Sequence, residues 1–303
     1  MSARLHSKIS LSICICTYLR PTWLRRLLSD LRDQQTESKF DFEVVVADND
    51  PAESARNVVQ ELEGNYPVAL KYCIEPAKGI DTVRNKALQV AVGDFIVFID
   101  DDEFPAEKWL LNLYNAWSRY GSAGVLGPVR PYFEQGAPKW VIKAGFYHRP
   151  EHETGFIMDW RECRTGNVLF ERRILQGQSA AFSHEFATGG GDVEFFRKMM
   201  RAGHRFVWCN EAVVFEHVPL KRCRRAFLMK RALLRGRNSL RYGEGRALSI
   251  VKALIAVPLY ALALPLLRLR GEHCFMRYLV KLCDHTGRLL GTLGITLVRE
   301  RPM

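Results

Sequence analysis

The stretch FIVFIDDDEFP, residues 95–105, decides how this chain is interpreted. Its first five residues form a short apolar run that is typical of a buried strand. Three aspartates and a glutamate follow directly, at positions 100–103. Adjacent carboxylates repel one another, and folding alone gives no reason to collect four of them where a buried strand ends. The pattern predicts a divalent-cation site, and the alternative is a solvated acidic turn before a helix that begins near Pro105.

The preceding sequence alternates between strand and helix patterns. The predicted strands cover residues 9–17, 42–47, 68–73 and 95–99, and the predicted helices follow Pro21, follow a capping Ser54 and cover residues 82–92. Strands separated by helices imply an α/β fold with a mostly parallel central sheet flanked by helices. Because ligands bind beyond the carboxyl ends of such strands, the chemistry is expected just past those ends.

Beyond Ala123 the regular alternation is lost. The stretch 134–154 is predicted to be flexible, residues 194–202 to be a helix, and residues 205–208 and 212–215 to be short strands. These patterns predict a catalytic domain over residues 1–218 and a basic, partly apolar helical region over residues 219–303.

Charge is distributed unevenly along the 303 residues, whose formal net charge is +11. From Pro219 onward there are 18 Lys and Arg against 4 Asp and Glu, whereas the preceding residues hold 26 against 29. A basic region attracts anionic lipid headgroups and nucleic acid equally. The composition, 48% hydrophobic, excludes a wholly disordered chain.

Hydrophobicity favours the membrane as the partner of this basic region. Residues 253–267 read ALIAVPLYALALPLL without a charge and are flanked by cations on both sides. The run is shorter than the roughly 18 residues of a membrane span, and Pro258 and Pro265 are expected to kink it. It predicts a segment that docks on the membrane; a buried helix of the soluble fold and a true span are the alternatives.

The eight cysteines show no paired C-x-x-C spacing, and the chain starts without a leader pattern. Free thiols in a reducing cytosol are the simplest interpretation. The expected location is therefore cytoplasmic, at the inner face of the cell membrane.

Polar residues also follow the first two strands. Asp48 and Asp50 come after FEVVVA, where a nucleotide-binding sheet needs an acceptor for the base or ribose. The alternative for Asp48 is an Asx turn. Thr17, Tyr18 and Arg20 leave the first strand and are expected to contact the same nucleotide.

The segment KGIDTVRNKAL, residues 78–88, provides a third group of candidates. Lys78 and Gly79 precede a helix that carries Arg84 in its first turns. Helix N-termini and cations both favour a diphosphate group, although this motif alone is a weak signal.

Together these motifs identify the chain as similar to family 2 glycosyltransferases, which have the nucleotide-binding fold called GT-A. The resemblance rests on SICICTYLRP, VVVADND, KGIDTVRNKAL, FIDDDEFP, GGGD at residues 189–192 with VEFFRKMMRAG, and FEH at residues 215–217. It covers residues 8–218 and is greatest to bacterial enzymes that build exopolysaccharide or lipopolysaccharide.

The resemblance implies roles for individual residues. Asp48 would contact the uracil or ribose, Asp100 and Asp101 would face the donor, and Asp102, with Asp100 in the D-x-D motif, would be the direct metal ligand. Asp192 would be the catalytic base; as an isolated residue it is equally consistent with a helix N-cap.

Three further positions are less decided. Family members usually carry an acidic residue immediately before the base, and here that residue is Gly191. His217 would complete the metal site, or would be a structural histidine. Asn167 would line the donor-sugar or acceptor pocket, or would cap a turn.

The sequence thus predicts a metal-dependent, inverting transferase that uses Mn²⁺ or Mg²⁺. It would move a sugar from a nucleoside-diphosphate sugar, expected to be a UDP-sugar, to a hydroxyl of a saccharide or lipid-linked saccharide. A nucleotidyltransferase of similar fold is the rival enzyme, but it would carry a Gly-rich loop after the first strand, where this chain reads TYLRP. A nucleic-acid-binding protein is the rival from another class, and it has no use for Asp102 or Asp192.

Overall fold

The computed structural model describes residues 8–177, 180–183, 190–242 and 246–298. The strands are β1 Ile9–Thr17, β2 Phe40–Asp48, β3 Leu70–Ile74, β4 Phe95–Asp100, β5 Glu103–Pro105, β6 Gly124–Leu126, β7 Val129–Phe133, β8 Asn167–Glu171, β9 Phe206–Trp208 and β10 Val214–Val218. The α-helices are α1 Pro21–Arg32, α2 Arg56–Glu63, α3 Ile80–Val90, α4 Trp109–Tyr120, α5 Lys139–Ala144, α6 Gly191–Arg201, α7 Arg225–Asn238, α8 Arg246–Leu269 and α9 Glu272–Thr292.

A seven-stranded sheet has the order β3-β2-β1-β4-β8-β6-β9. β1 pairs in parallel with β2 and β4, and β2 pairs in parallel with β3, whereas β8 is antiparallel to β4 and β6. The predicted mostly parallel sheet flanked by helices is confirmed. Its register places Thr17 opposite Asp48 and Cys16 opposite Asp100, so the carboxyl ends of the central strands form one edge.

Apolar side chains cover both faces of this sheet, because successive residues of a strand point in opposite directions. Ile13 and Ile15 of β1 belong to the cluster that contains the buried leucines of α1. Cys14, between them, belongs to the cluster that contains Phe195 and Phe196 of α6. Burial on both faces explains why the central strands are apolar almost throughout.

Two predicted helix starts differ from the structure. The N-cap of α2 is Ala55 rather than Ser54. The backbone N–H of Ala55 instead donates to the carboxylate of Asp48, 2.9 Å away, which ties this turn to the end of β2. The helix expected near Pro105 begins at Trp109, because residues 103–105 form β5 and pair with β10.

The stretch 134–154, predicted to be flexible, contains helix α5. Val141 is fully buried, and it shares an apolar cluster with Leu228 of α7 and Met276 of α9. The prediction was wrong because the stretch is rich in polar residues and glycine, and the few apolar residues that form the buried face of α5 gave no clear helical period.

The chain divides into two compact units. The first consists of residues 1–130 and 149–216, and the second of residues 131–148 and 217–303, in each case as far as the structure describes them. The predicted boundary at residue 218 placed the segment 131–148 in the first domain, whereas the structure groups this segment with the C-terminal residues. Packing of α5 with α7 and α9 is the physical reason for this grouping.

Within the second unit, α8 is one continuous helix that includes Pro258 and Pro265. By length and composition alone it is apolar enough to cross a membrane. Ala253 is its one buried residue, although Tyr260 packs edge-on against Tyr278 of α9 with ring centroids 5.5 Å apart. Leu262 is 78% exposed, so within the described residues this helix is not buried in the way the soluble-helix alternative predicts.

Candidate active site

The aspartates after β4 are held by residues that leave β1. The Thr17 hydroxyl donates to Asp101 at 2.8 Å, and Arg20 Nη1 lies 2.8 Å from Asp101 and 3.1 Å from Asp102. Tyr18 is half-buried in the same turn. Burial raises the pKa of Asp101 to about 6, although Arg20 and Thr17 favour its ionised form. The structure therefore brings together the predicted residues from the ends of β1 and β4.

Asp100 and Glu103 form the second part of this acidic group. Glu103 accepts the backbone N–H of Asp100 at 3.0 Å, and its other oxygen, Oε1, is buried without a hydrogen-bond partner among the described residues. Burial raises the pKa of both carboxyls. At Glu103 the negative charge of nearby Asp100 raises the pKa further. Arg84 opposes the shift at Asp100. The group holds more negative charge than the nearby protein cations balance, which suits a bound cation.

Arg149 is a positive group that sequence reasoning missed. Its Nη2 lies 2.7 Å from Oε2 of Glu216. Burial alone would lower the pKa of Arg149, but Glu216, Glu103, Asp100 and Asp192 raise it above its ordinary value. An isolated arginine in a stretch without secondary-structure pattern gives no sequence signal, so only the tertiary structure reveals it.

Asp48, at the end of β2, is completely buried. Its carboxylate accepts the backbone N–H groups of Asp50 and Ala55, at 3.0 and 2.9 Å, and the Tyr72 hydroxyl at 3.0 Å. This is the Asx-type turn that the alternative interpretation predicted. In this structure Asp48 therefore stabilises the turn, and its contact with a nucleotide stays a prediction.

Asp50 has a different environment from Asp48. Its Oδ1 accepts the backbone N–H of Ala52 at 3.1 Å, and its Oδ2 is buried without a hydrogen-bond partner among the described residues. Between the two aspartates, the Asn49 amide donates to Ala77 at 2.8 Å and accepts from the backbone N–H of Gly79 at 3.1 Å. The end of β2 thus fixes the loop before α3.

That loop explains the Lys-Gly pair of the third motif. Gly79 is the N-cap of α3 with φ +148°, a backbone conformation that favours glycine. Lys78 is exposed beside it. Arg84 is buried one turn into the helix, where its Nη1 lies 3.5 Å from Asp81, and its charge opposes the rise that burial causes in the pKa of Asp100. Arg84 therefore faces the protein interior, whereas Lys78 faces solvent.

Asp192 lies in the first turn of α6 rather than at its cap, which is Gly190 with φ +102°. Its carboxylate accepts the backbone N–H of Val193 at 2.9 Å and lies 3.9 Å from Nε of Arg164. Of the GGGD motif, Gly189 lies outside the described residues. The side chain is partly exposed, so it can meet a substrate hydroxyl.

Asn167 is held by the scaffold. It is 2% exposed; its amide oxygen accepts from Trp109 Nε1 at 2.8 Å, and its amide nitrogen donates to the carbonyls of Pro128 and Ala212 at 3.0 and 2.7 Å. Both ends of the amide thus join β8 to its neighbours, and a role of Asn167 in a donor-sugar or acceptor pocket stays a prediction.

The predicted metal-ligand set stays a prediction. His217 is buried on β10 and belongs to the second unit. Within residues 8–177, 180–183, 190–242 and 246–298, no three His, Cys, Asp or Glu side chains are grouped so that they could hold a metal ion. Asp102 pairs with Arg20 instead.

Comparison with known proteins agrees with this fold. A family model described as Glycosyl transferase family 2 matches residues 12–177. Succinoglycan biosynthesis protein ExoM of Rhizobium meliloti (strain 1021) is 31% identical over 306 residues, which cover 96% of each chain. Hyaluronan synthase of Pasteurella multocida is 24% identical over 71% of this chain, but the match spans 25% of that protein.

Solved structures show the same fold at low sequence identity. Mannosyltransferase PcManGT from Pyrobaculum calidifontis, in complex with GDP-Man and Mn²⁺, has a TM-score of 0.63 at 18% identity and covers 95% of this chain and 87% of that one. S. aureus TarS 1–349 in complex with UDP has a TM-score of 0.55 at 17% identity and covers 95% and 93%. These likenesses confirm the GT-A fold.

The family model covers more than half of the chain, and ExoM matches nearly all of it. The nucleotidyltransferase alternative is thereby removed. The chain belongs to glycosyl transferase family 2 and is a glycosyltransferase.

Proposed function

We propose that this glycosyltransferase is metal-dependent and inverting, and that it transfers a sugar from a UDP-sugar to a hydroxyl of a lipid-linked saccharide during synthesis of a bacterial surface polysaccharide. In this proposal the catalytic domain comprises residues 1–218, and residues 219–303 dock at the inner face of the cell membrane. The similarity to a protein named for succinoglycan biosynthesis supports the polysaccharide product.

One observation carries the proposal. The segment 164–166 approaches both Asp192, at the start of α6, and Asp100, at the end of β4: Arg164 Nε lies 3.9 Å from Asp192, and a Cβ atom built on Gly166 would lie 3.2 Å from Oδ2 of Asp100. This shared neighbour supports the proposal that the acidic strand end and the helix start act on one substrate. A donor bound beside Asp100 would have its anomeric carbon within reach of an acceptor hydroxyl beside Asp192.

Asp192 is suited to act as a general base. Its partly exposed carboxylate would accept the proton of the acceptor hydroxyl while that oxygen bonds to the anomeric carbon and the bond to the diphosphate breaks. Positioned proton transfer of this kind contributes roughly 10²- to 10⁴-fold to a rate. Because a single base supports direct displacement from the opposite face, the anomeric configuration would be inverted.

Asp102 and Asp100 would hold the divalent cation. Carboxylate oxygens are the ligands that Mg²⁺ and Mn²⁺ prefer, and the surplus negative charge around Glu103 fits such an ion. When bound, the cation would stabilise the negative charge on the departing diphosphate. Arg84 and Arg149, both near the carboxylates, would add positive charge on the same side.

The donor nucleotide would lie along the ends of β1, β2 and β3. Hydrogen-bond donors there are Thr17 and Arg20, and the Oδ2 atom of Asp50, which has no partner among the described residues, is an acceptor. Lys78, in the motif that follows along the chain, is exposed. The preference for UDP rests on resemblance; TarS was solved with UDP, whereas PcManGT was solved with GDP-Man.

Membrane association is proposed from α8 and its charges. The helix leaves large apolar side chains in water, among them Leu259, Leu262, Leu266 and Leu269, each at least 60% exposed. An apolar surface of this kind is costly in water and is stabilised in a bilayer interface. The excess of Lys and Arg after Pro219 would bind anionic headgroups of the inner leaflet.

Calorimetric titration of the full chain with UDP and GDP, each with Mn²⁺, with Mg²⁺ and with EDTA, tests the donor and the cation together. Metal-dependent binding of UDP supports the proposal, and metal-dependent binding of GDP alone would replace the donor. If neither nucleotide bound while the protein was retained on a nucleic-acid column in a salt-dependent manner, the nucleic-acid alternative would take its place.

A further inference from the structure

The residue before Asp192 lacks a side chain because another residue fills its space. A Cβ atom built on Gly191 would overlap both carboxylate oxygens of Asp81 and would lie 2.5 Å from its Cγ. Gly191 is the first residue of helix α6, where the backbone itself accepts any side chain. Steric exclusion by Asp81, rather than backbone conformation, therefore requires glycine at position 191.

Buried contacts fix α3 and α6 in this arrangement. Asn85 of α3 donates to the carbonyl of Phe182 at 2.8 Å and accepts its backbone N–H at 3.0 Å. The Phe182 ring stacks on Phe195 of α6 with centroids 4.9 Å apart and meets Phe98 of β4 edge-on at 5.8 Å. The approach of Asp81 to Gly191 is thus a consequence of the core packing around Phe182.

Asp81 also connects this point to the acidic group after β4. It is 1% exposed, and its carboxylate lies 3.5 Å from Nη1 of Arg84, one turn later in α3. Arg84 is itself buried. A carboxylate at position 81 therefore stands between the start of α6 and Arg84.

We propose that Asp81 is a positioning residue for transfer, because its carboxylate supplies from α3 the negative charge that position 191 cannot carry. The proposal rests on the function proposed above for Asp192. A negative group beside the start of α6 is favourable at that end of the helix and fixes the turn that carries Asp192. Since Asp81 is buried, it acts through the position of Asp192 and does not touch the substrate itself.

Two variants test this role. Asp81→Asn removes the charge but keeps the shape, and Asp81→Ala/Gly191→Asp moves the carboxylate from α3 to α6. Donor affinity is measured by titration with UDP and Mn²⁺, and kcat and KM by UDP release from UDP-glucose, UDP-galactose, UDP-GlcNAc and UDP-glucuronic acid in the presence of a bacterial membrane extract. Unfolding temperatures show that each variant is folded.

For Asp81→Asn we expect kcat to fall by at least about tenfold, because a displaced base loses part of the contribution of positioned proton transfer, with KM for the donor and UDP affinity unchanged. The relocated carboxylate in Asp81→Ala/Gly191→Asp should restore most of kcat, whereas Asp81→Ala alone should not. If the role of Asp81 were purely structural, the variant would have a lower unfolding temperature, and its kcat would not fall selectively while KM stayed unchanged. Asp30→Asn, a partly buried helical aspartate of α1, is the matched control.

Wild-type kcat in Asp81→Asn would overturn the inference, and so would a folded double variant that stays as slow as Asp81→Ala. If the double variant does not fold, Asp81→Asn decides alone. These outcomes leave the proposed function standing. A wild-type protein that binds no nucleotide and releases none from any of the four donors would remove the proposed function and this inference with it.

Discussion

Arg20 Nη1 lies 3.1 Å from Oδ2 of Asp102, so a guanidinium stands beside the carboxylate that is proposed to bind the cation. Asp102 is only 8% exposed, and an unpaired charge at that depth would be strongly unfavourable. The contact with Arg20 therefore offsets part of the cost of burying this carboxylate. Binding of a divalent cation would require Arg20 to release Asp102 or to share it.

The first prediction concerns Asp102. Asp102→Ala should abolish the dependence of UDP binding on Mn²⁺ and weaken that binding by at least about tenfold, because a direct carboxylate ligand is lost. Calorimetric titration with Mn²⁺ and with EDTA measures both effects. Asp41→Ala, at the opposite end of the sheet in β2, should bind as the wild type does. Unchanged metal-dependent binding in Asp102→Ala would assign the cation to other residues.

The second prediction concerns the base. Asp192→Asn should lower kcat by roughly 10²- to 10⁴-fold while UDP affinity stays the same, because an amide cannot accept the hydroxyl proton. The matched control is Glu194→Gln, which removes a carboxylate from the same helical turn; Glu194 pairs with Arg197 at 2.8 Å instead of facing the acceptor. Equal losses in both variants would mean that helix stability, not proton transfer, is affected.

The third prediction concerns the pH dependence of stability at Glu43. Burial opposes ionisation of Glu43, but hydrogen bonds from Lys71, Ser12 and the backbone N–H of Val92 outweigh it and hold its pKa below the ordinary 4.5. A lowered pKa contributes stability above pH 4.5 that is lost as pH falls through the folded-state pKa. Glu43→Gln should therefore cost about 1–3 kcal/mol near neutral pH and progressively less below pH ~4.

Urea unfolding of the wild type and Glu43→Gln between pH 3 and pH 8 measures this difference. Glu75→Gln, a carboxylate of the loop before α3, serves as a control with no expected convergence. A destabilisation that stayed constant across this range would show that the hydrogen bonds, and not the charge of Glu43, account for its contribution.

The fourth prediction concerns α8. Leu262→Glu/Leu266→Glu introduces two charges at positions that are 78% and 70% exposed. Each leucine would lose roughly 1.5–3 kcal/mol of burial in the bilayer, so binding to phosphatidylglycerol-containing vesicles should weaken by at least about tenfold. Vesicle flotation measures the bound fraction. Val92→Glu alters an equally exposed apolar residue, 66%, outside α8 and should float as the wild type does. Unchanged flotation of the α8 variant would contradict membrane docking through this helix.

Much of the fold was predictable because it is encoded locally. The period-two pattern over Ile9–Thr17 matches β1, and the run after Gly93 matches β4. Strands that alternate with helices favour a parallel sheet, because each helix connects one strand to the next by a crossover. The position of Asp100 and Asp102 at its edge follows directly, because they end the central strand.

The roles of some candidates could not be read from local sequence. Asp48 and Asn167 have side chains that suit a ligand or a turn equally well, and only their hydrogen bonds show that both are engaged by the scaffold. Arg149 lacked any pattern around it, and only its ion pair with Glu216, which lies opposite Glu103 in the β5–β10 pair, connects it to the acidic group.

The sequence by itself determined the fold class, the family and the acidic end of β4, since hydrophobic period and motif order are properties of neighbouring residues. Only the tertiary structure decided which carboxylates balance one another across distant segments. Arg20 reaches Asp102 from β1, and Asp81 reaches the space at Gly191 from α3. Charges and volumes interact through space, with energies that depend on distance and burial, and the linear order of residues specifies neither.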